Sequence, residues 1–102
     1  MALKARHNIT STLITDLVTA GDNAGDIKSV LLANVHATDA NNVDLMVYNN
    51  YETHYIVKNV LIPSGTSLEI DLAKYKVNTQ KGKDSLRIKC SSANGVDVII
   101  NN

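Results

Sequence analysis

A period of two runs through this chain and limits what it can become. Val43, Leu45 and Val47 alternate with Asp44, Met46 and Tyr48; Leu68, Ile70 and Leu72 with Ser67, Glu69 and Asp71; Leu86, Ile88 and Cys90 with Ser85, Arg87 and Lys89. Successive side chains of an extended strand point to opposite faces, so each run predicts a strand with one face in a core and the other in water. Val96, Val98 and Ile100 obey the same rule around Asp97. Ile27 to Val35 and Tyr55 to Ile62 are more continuously apolar and read as central strands covered on both faces. In Ile9 to Val18, Leu13, Ile14, Leu17 and Val18 also match a helical stripe, but Thr10, Ser11, Thr12 and Thr15 favour a strand.

Turn chemistry separates these runs. Residues 20–26, 38–42, Asn49-Asn50, Pro63-Ser64-Gly65 and Lys81-Gly82-Lys83 are rich in Gly, Asn, Asp or Pro, which accept positive φ, bond their own backbone or pre-set a bend. Asn94-Gly95 suits a two-residue type I′ turn and predicts a hairpin between the last two strands. Strands are expected near residues 9–18, 27–35, 43–49, 54–62, 67–72, 84–91 and 96–101, with a short one at 75–77. The fold class is then all-β: an antiparallel β-sandwich, jelly-roll or immunoglobulin-like, of seven to eight short strands. No repeat or linker divides the chain, which reads as an N-terminal arm, residues 1–8, followed by a single sandwich domain, residues 9–102.

Charge narrows the partners. Ten Lys plus Arg balance ten Asp plus Glu in 102 residues, whereas binding to a phosphate backbone needs a cationic surplus to release counterions. Nucleic acid is not an expected partner. Val60-Leu61-Ile62 and Val98-Ile99-Ile100 fall far short of the roughly 18 apolar residues that span a bilayer, so no membrane partner is expected either. Polar residues from Asn8 to Thr12 stand where a secretion signal needs an apolar stretch, and the chain is expected to be made in a cytosol. A single cysteine, Cys90, permits no intramolecular disulfide.

No constellation for chemistry stands out. His7, His36 and His54 lack metal-ligand spacing and read as surface or edge residues. Residues 22–26 resemble a calcium loop only superficially: Ala24, Ile27 and Ala33 occupy its third, sixth and twelfth positions, so the segment reads as a turn. Cys90 shares the inward register of Leu86 and Ile88 and reads as an apolar filler rather than a nucleophile. The glycines are isolated and form no phosphate cradle. Neither an enzymatic activity nor a cofactor or metal is expected.

What remains suits contact with other proteins. Tyr48, Tyr51 and Tyr55 cluster around one hairpin, an arrangement compatible with an interface, core filling or carbohydrate contact. Lys74, Lys76, Lys81, Lys83, Arg87 and Lys89 make a basic stretch that reads as a solvated strand face. The arm, with Leu3, Lys4, Arg6 and His7, lacks a core pattern and is a candidate to order against a neighbour.

Residues 27–34, the run from His54 to Glu69, Gly82 to Ile88 and Ser92 to Val98 resemble small β-sandwich virion proteins of tailed bacteriophages. That resemblance implies a non-enzymatic structural subunit located in the virion, foremost a capsid decoration or cement protein or another head-associated subunit. Its partners would be copies of itself and a larger capsid, neck or tail protein. A neck- or tail-associated subunit, or a carbohydrate- or receptor-binding module on the same scaffold, are the alternatives.

Overall fold

The computed structural model describes residues 6–19, 26–75, 77–78 and 84–101. They form eight strands: β1 (Arg6–Ile9), β2 (Thr15–Val18), β3 (Ser29–Asn34), β4 (Asn41–Asn49), β5 (Glu52–Ile62), β6 (Ser67–Asp71), β7 (Ser85–Cys90) and β8 (Val96–Asn101). Two four-stranded antiparallel sheets result, β1-β8-β3-β6 (sheet I) and β2-β7-β4-β5 (sheet II). The pairs β4–β5, β3–β6, β2–β7 and β1–β8 nest like one long hairpin, and wrapping it adds the β4–β7 and β3–β8 ladders. This is the jelly-roll order, not the immunoglobulin one.

The alternation seen in the sequence builds the core. Val30 and Leu32 of β3, Val43 and Leu45 of β4, Leu86, Ile88 and Cys90 of β7, and Val96, Val98 and Ile100 of β8 are buried between the sheets. Each large aliphatic side chain so buried contributes on the order of 2 kcal/mol. β3 is central, as its apolar run suggests, yet its outward residues Ser29, Leu31 and Ala33 are only half-buried. No second layer covers that face among the described residues.

Four expectations are corrected. The segment 9–18 is neither one strand nor a helix: Ile9 closes β1 in sheet I, Leu17 and Val18 lie in sheet II, and the crossing between them leaves Leu13 and Ile14 exposed. Its apolar residues serve two sheets, which is why they fit no single period. Tyr55 to Ile62 is not central but belongs to an edge strand. Its apolar continuity comes from two bulges, where the register slips between Val43 and Leu45 and again between Leu45 and Met46, so that eleven residues of β5 oppose nine of β4. Each extra residue shifts the parity of those that follow. At the first bulge Asn59 sits at φ 56° and its N–H donates to Asp44 Oδ1 at 2.6 Å.

The third correction concerns turns. Asn94 has φ 58°, but Gly95 is not in the left-handed region, and the chain there passes from β7 in sheet II to β8 in sheet I rather than closing a hairpin. Gly95 is needed for space, because a Cβ would stand 3.0 Å from Asn41 Nδ2 and 3.4 Å from His36 Cβ. The two-residue turn with positive φ at both positions is instead Asn50-Tyr51, at 53° and 62°, joining β4 to β5. Fourth, no strand forms at 75–77: Ala73–Tyr75 is a single 3₁₀ turn, Val77 is buried, and residue 76 lies outside the described residues.

Arg6, His7 and Asn8, expected in the arm, belong to β1. Arg6, His7 and Asn8 pair with Ile99, Val98 and Asp97, and Asn8 Nδ2 donates to Asp97 Oδ1 at 2.6 Å. A four-residue edge strand that fully buries only Ile9 needs no alternating apolar pattern, so nothing in the sequence announced it. Leu3 and Lys4 lie outside the described residues, as do Asp22 to Gly25 of the loop that resembles a calcium site.

Candidate protein-contact face

Sheet II carries an ordered outward face. Across its four strands Asp16, Arg87, Met46 and Tyr55 stand in one row, each opposite the next in the ladder, and therefore on the same side of the sheet. Met46 points away from the core yet is only 1% exposed. It stands apart from the cluster that fills the sandwich. Arg87 Nε donates to Asp16 Oδ1 at 2.7 Å while its guanidinium lies 4.1 Å from the Tyr48 ring centroid. Lys58 Nζ lies 4.2 Å from the Tyr55 ring centroid. Cation–aromatic stacking of this kind holds the long cationic chains flat and leaves a surface with few free rotamers.

The three tyrosines of the β4–β5 hairpin meet this face differently. Tyr48 is half-buried, Tyr55 is half exposed, and Tyr51, at the tip, is 91% exposed. None belongs to the core cluster, so core filling does not explain them. Leu61 and Leu13 are exposed near the other end of the sheet, and Leu13 lines a shallow groove with Asn59 and Lys89. Arg87 and Lys89, expected on a solvated strand face, are outward on β7; Lys76, Lys81 and Lys83 lie outside the described residues. Of the arm residues, Arg6 is exposed on the outer face of sheet I and His7 is half-buried at its edge. The structure thus brings Tyr48 and Tyr55 together on sheet II and keeps Arg6 and His7 on the other sheet. Arg87, Met46 and Asp16 belong to the face as well; only the strand pairing reveals it.

A cleft of about 600 Å³ opens between β5 and β6. Val47, Val57, Ile70 and Val77 form its apolar wall, with His54 and Asp71 at the rim. Among the described residues no three His, Cys, Asp or Glu side chains converge as metal ligands. His36 is occupied as a loop cap, its Nδ1 accepting the N–H groups of Thr38 and Asp39 at 3.2 and 3.0 Å.

Cys90 is inward and buried, and its thiol is pushed up to about 11 from 9.0, first by burial and second by the carboxylate of Asp44. An aromatic disulfide reagent at pH 8 is therefore expected to leave the native chain unmodified and to titrate one thiol once the chain is denatured. In the unfolded chain the thiol ionises near 9.0 while in the folded chain it stays protonated to about 11, so folding stability falls across that window as pH rises. The loss amounts to at most ~3 kcal/mol, visible as a declining urea midpoint above pH 9 that a Cys90→Ala variant lacks.

No family model matches the chain, and neither a curated protein nor a solved structure matches it.

Proposed function

We propose that the chain is a non-enzymatic virion subunit of a tailed bacteriophage, a capsid decoration or cement protein or another head-associated subunit, working through repeated docking onto a larger capsid protein and onto its own copies. The observation that carries the reading is Tyr51. A bulky aromatic residue in the left-handed region costs about 1–2 kcal/mol, and a tip required only to turn is best served by glycine. Here a tyrosine is kept there and is almost wholly exposed. Strain retained at an exposed aromatic tip is what a contact residue produces, and Tyr is among the residues that dominate protein interfaces. The outer face of sheet II supplies a rigid flank with Tyr55, Arg87 and Tyr48.

Small contacts suffice in such a setting. Many copies on a symmetric shell add avidity, so one hairpin and one sheet face need not bind tightly alone. Mass spectrometry of purified particles tests the reading: decoration predicts on the order of hundreds of copies, whereas about six or twelve would move the chain to a neck or tail ring. Absence from particles would remove a virion role. Binding of a defined sugar by the isolated chain would reassign the tyrosines to carbohydrate.

A further inference from the structure

β3 runs through the middle of sheet I with an apolar sequence, although its outward residues are only half-buried. One row of the ladder shows what that outer face presents. Arg6 of β1 stands opposite Ile99 of β8, Ile99 opposite Leu31 of β3, and Leu31 opposite Glu69 of β6, so the four side chains share one side of the sheet in that order. It is the outer side, because Val98 and Leu32, one step along their strands, are fully buried between the sheets. Ile99 is 42% exposed. Arg6 and Glu69 are exposed at the two ends of the row, and neither has an ion-pair partner among the described residues. Three strand spacings, about 14 Å, keep these two charges from meeting within one chain.

A row that reads cation, apolar, apolar, anion is its own complement. A two-fold axis parallel to the strands, between β8 and β3, lays β1 of one copy over β6 of another and keeps each row level with itself. Arg6 then meets Glu69 of the second copy, twice by symmetry, and Ile99 packs on its Leu31. We propose that two copies of the chain associate about this axis, outer face of sheet I against outer face of sheet I. Sheets packed face to face lie about 10 Å apart and within about 30° of alignment, a gap that an arginine and a glutamate bridge together. The next row leaves room for the approach: Ala33 and Ser67 are small, and Asp97 already accepts from Asn8 Nδ2 of its own chain at 2.6 Å.

Charge selects this face and this occupant. On sheet II the corresponding row pairs its charges internally, Arg87 Nε donating to Asp16 Oδ1 at 2.7 Å, and a two-fold there would set Asp16 over Tyr55. On sheet I the charges lack partners, and a second copy supplies both in matching places. Four strands by six residues make a face of about 19 by 20 Å, on the order of 400 Å² per copy and half of a standard interface, so the dissociation constant expected for the free chain is on the order of 0.1–1 mM. Such a contact forms where copies are already held close together.

This deepens the reading above by locating its self-contact. The test uses the purified chain alone: a monomeric chain would leave docking through Tyr51 standing, and absence from particles would leave the dimer standing. Sedimentation equilibrium is expected to show reversible association that stops at two chains. Ile99→Asp should abolish it, and Arg6→Glu or Glu69→Arg should each weaken it by at least about tenfold, since both symmetric pairs become repulsive. Mixing these two charge-reversed variants should restore association, because each glutamate then faces an arginine; a folding defect would not be rescued in this way. On dilution, amide resonances of Leu31, Ala33 and Ile99 should shift while those of the β4–β5 hairpin stay in place. A chain that stays monomeric at millimolar concentration, growth beyond two chains, association unchanged by Ile99→Asp, or failure of the mixture to recover would each overturn the proposal.

Discussion

Asn41→Ala is expected to destabilise the fold by about 3–4 kcal/mol, a loss of roughly 15–25 °C in Tm for a domain of this size. Asn41 opens β4, faces inward and is fully buried. Its Oδ1 accepts from Ser91 N–H at 3.0 Å and Ser92 N–H at 3.3 Å, and its Nδ2 donates to Ser92 O at 3.0 Å. Those partners belong to the passage from β7 to β8, where the chain changes sheets, and Ser91 N–H also reaches Asn42 O at 3.0 Å. Asn34 does the same work nearby, donating to Asp39 O at 2.9 Å and Ile62 O at 2.8 Å while accepting from His36 N–H at 3.1 Å. The two asparagines thus tie down three crossings at one end of the sandwich. An alanine at position 41 removes every one of these bonds at once, leaves Ser92 N–H and O without this partner and empties part of a fully buried site, which together cost far more than the mean value of one hydrogen bond. Asn42→Ala is the matching control: Asn42 is outward and exposed, and its bonds run through the backbone, its N–H donating to Ser91 Oγ and its carbonyl accepting from Ser91 N–H at 3.0 Å. Its expected change is within ~0.5 kcal/mol. Urea denaturation of the two neighbours gives the comparison, and equal effects would refute the parity assigned to β4.

The alternation of Val43-Leu45-Val47, Leu86-Ile88-Cys90 and Val96-Val98-Ile100 made both sheets legible in the sequence, because burial on one face leaves a period of two wherever pairing is regular. It said nothing of which strands pair. Asn94-Gly95 shows why: the pair has the composition of a tight hairpin turn, yet its glycine answers to Asn41 and His36, residues more than fifty positions away. β5 was misread as central for a related reason. Bulges at Ile56 and around Asn59 put apolar residues at consecutive positions, which mimics a strand buried on both faces. Asn34 and Asn41 are invisible in a hydropathy pattern, since a buried asparagine and a turn asparagine have the same letter.

The face on sheet II was legible in part. Tyr48, Tyr51 and Tyr55 are close in sequence because a hairpin brings them close in space, so their clustering could be read directly. Arg87 and Asp16, seventy-one positions apart, join Met46 only through the β2–β7 and β4–β7 ladders. Met46 occupies an outward register yet is buried, a combination no period predicts. Arg6 and His7 lack an apolar repeat, so their place in a strand follows only from pairing with β8.

Tyr51→Gly is expected to raise stability and abolish docking together. The substitution places glycine where φ is 62°, following Asn50 at 53°, the combination a type I′ turn favours. Relief of left-handed strain outweighs the added freedom of the unfolded chain, for a net gain of about 0.5–1 kcal/mol and a Tm higher by roughly 3–6 °C. No core contact is lost, because Tyr51 is 91% exposed. If Tyr51 is the anchor that enters a partner's surface, its removal costs the contact about 2 kcal/mol or more, a weakening of at least roughly thirtyfold. The two readouts therefore move in opposite directions, which a damaged fold cannot imitate. Tyr51→Ala, which keeps a Cβ at positive φ, should lose docking without the gain in Tm. Thermal melts and co-sedimentation with particles lacking the subunit measure the pair of effects. A more stable Tyr51→Gly variant that still binds would leave the strain at the tip without a functional cause and move the contact to the row of Arg87, Met46 and Tyr55.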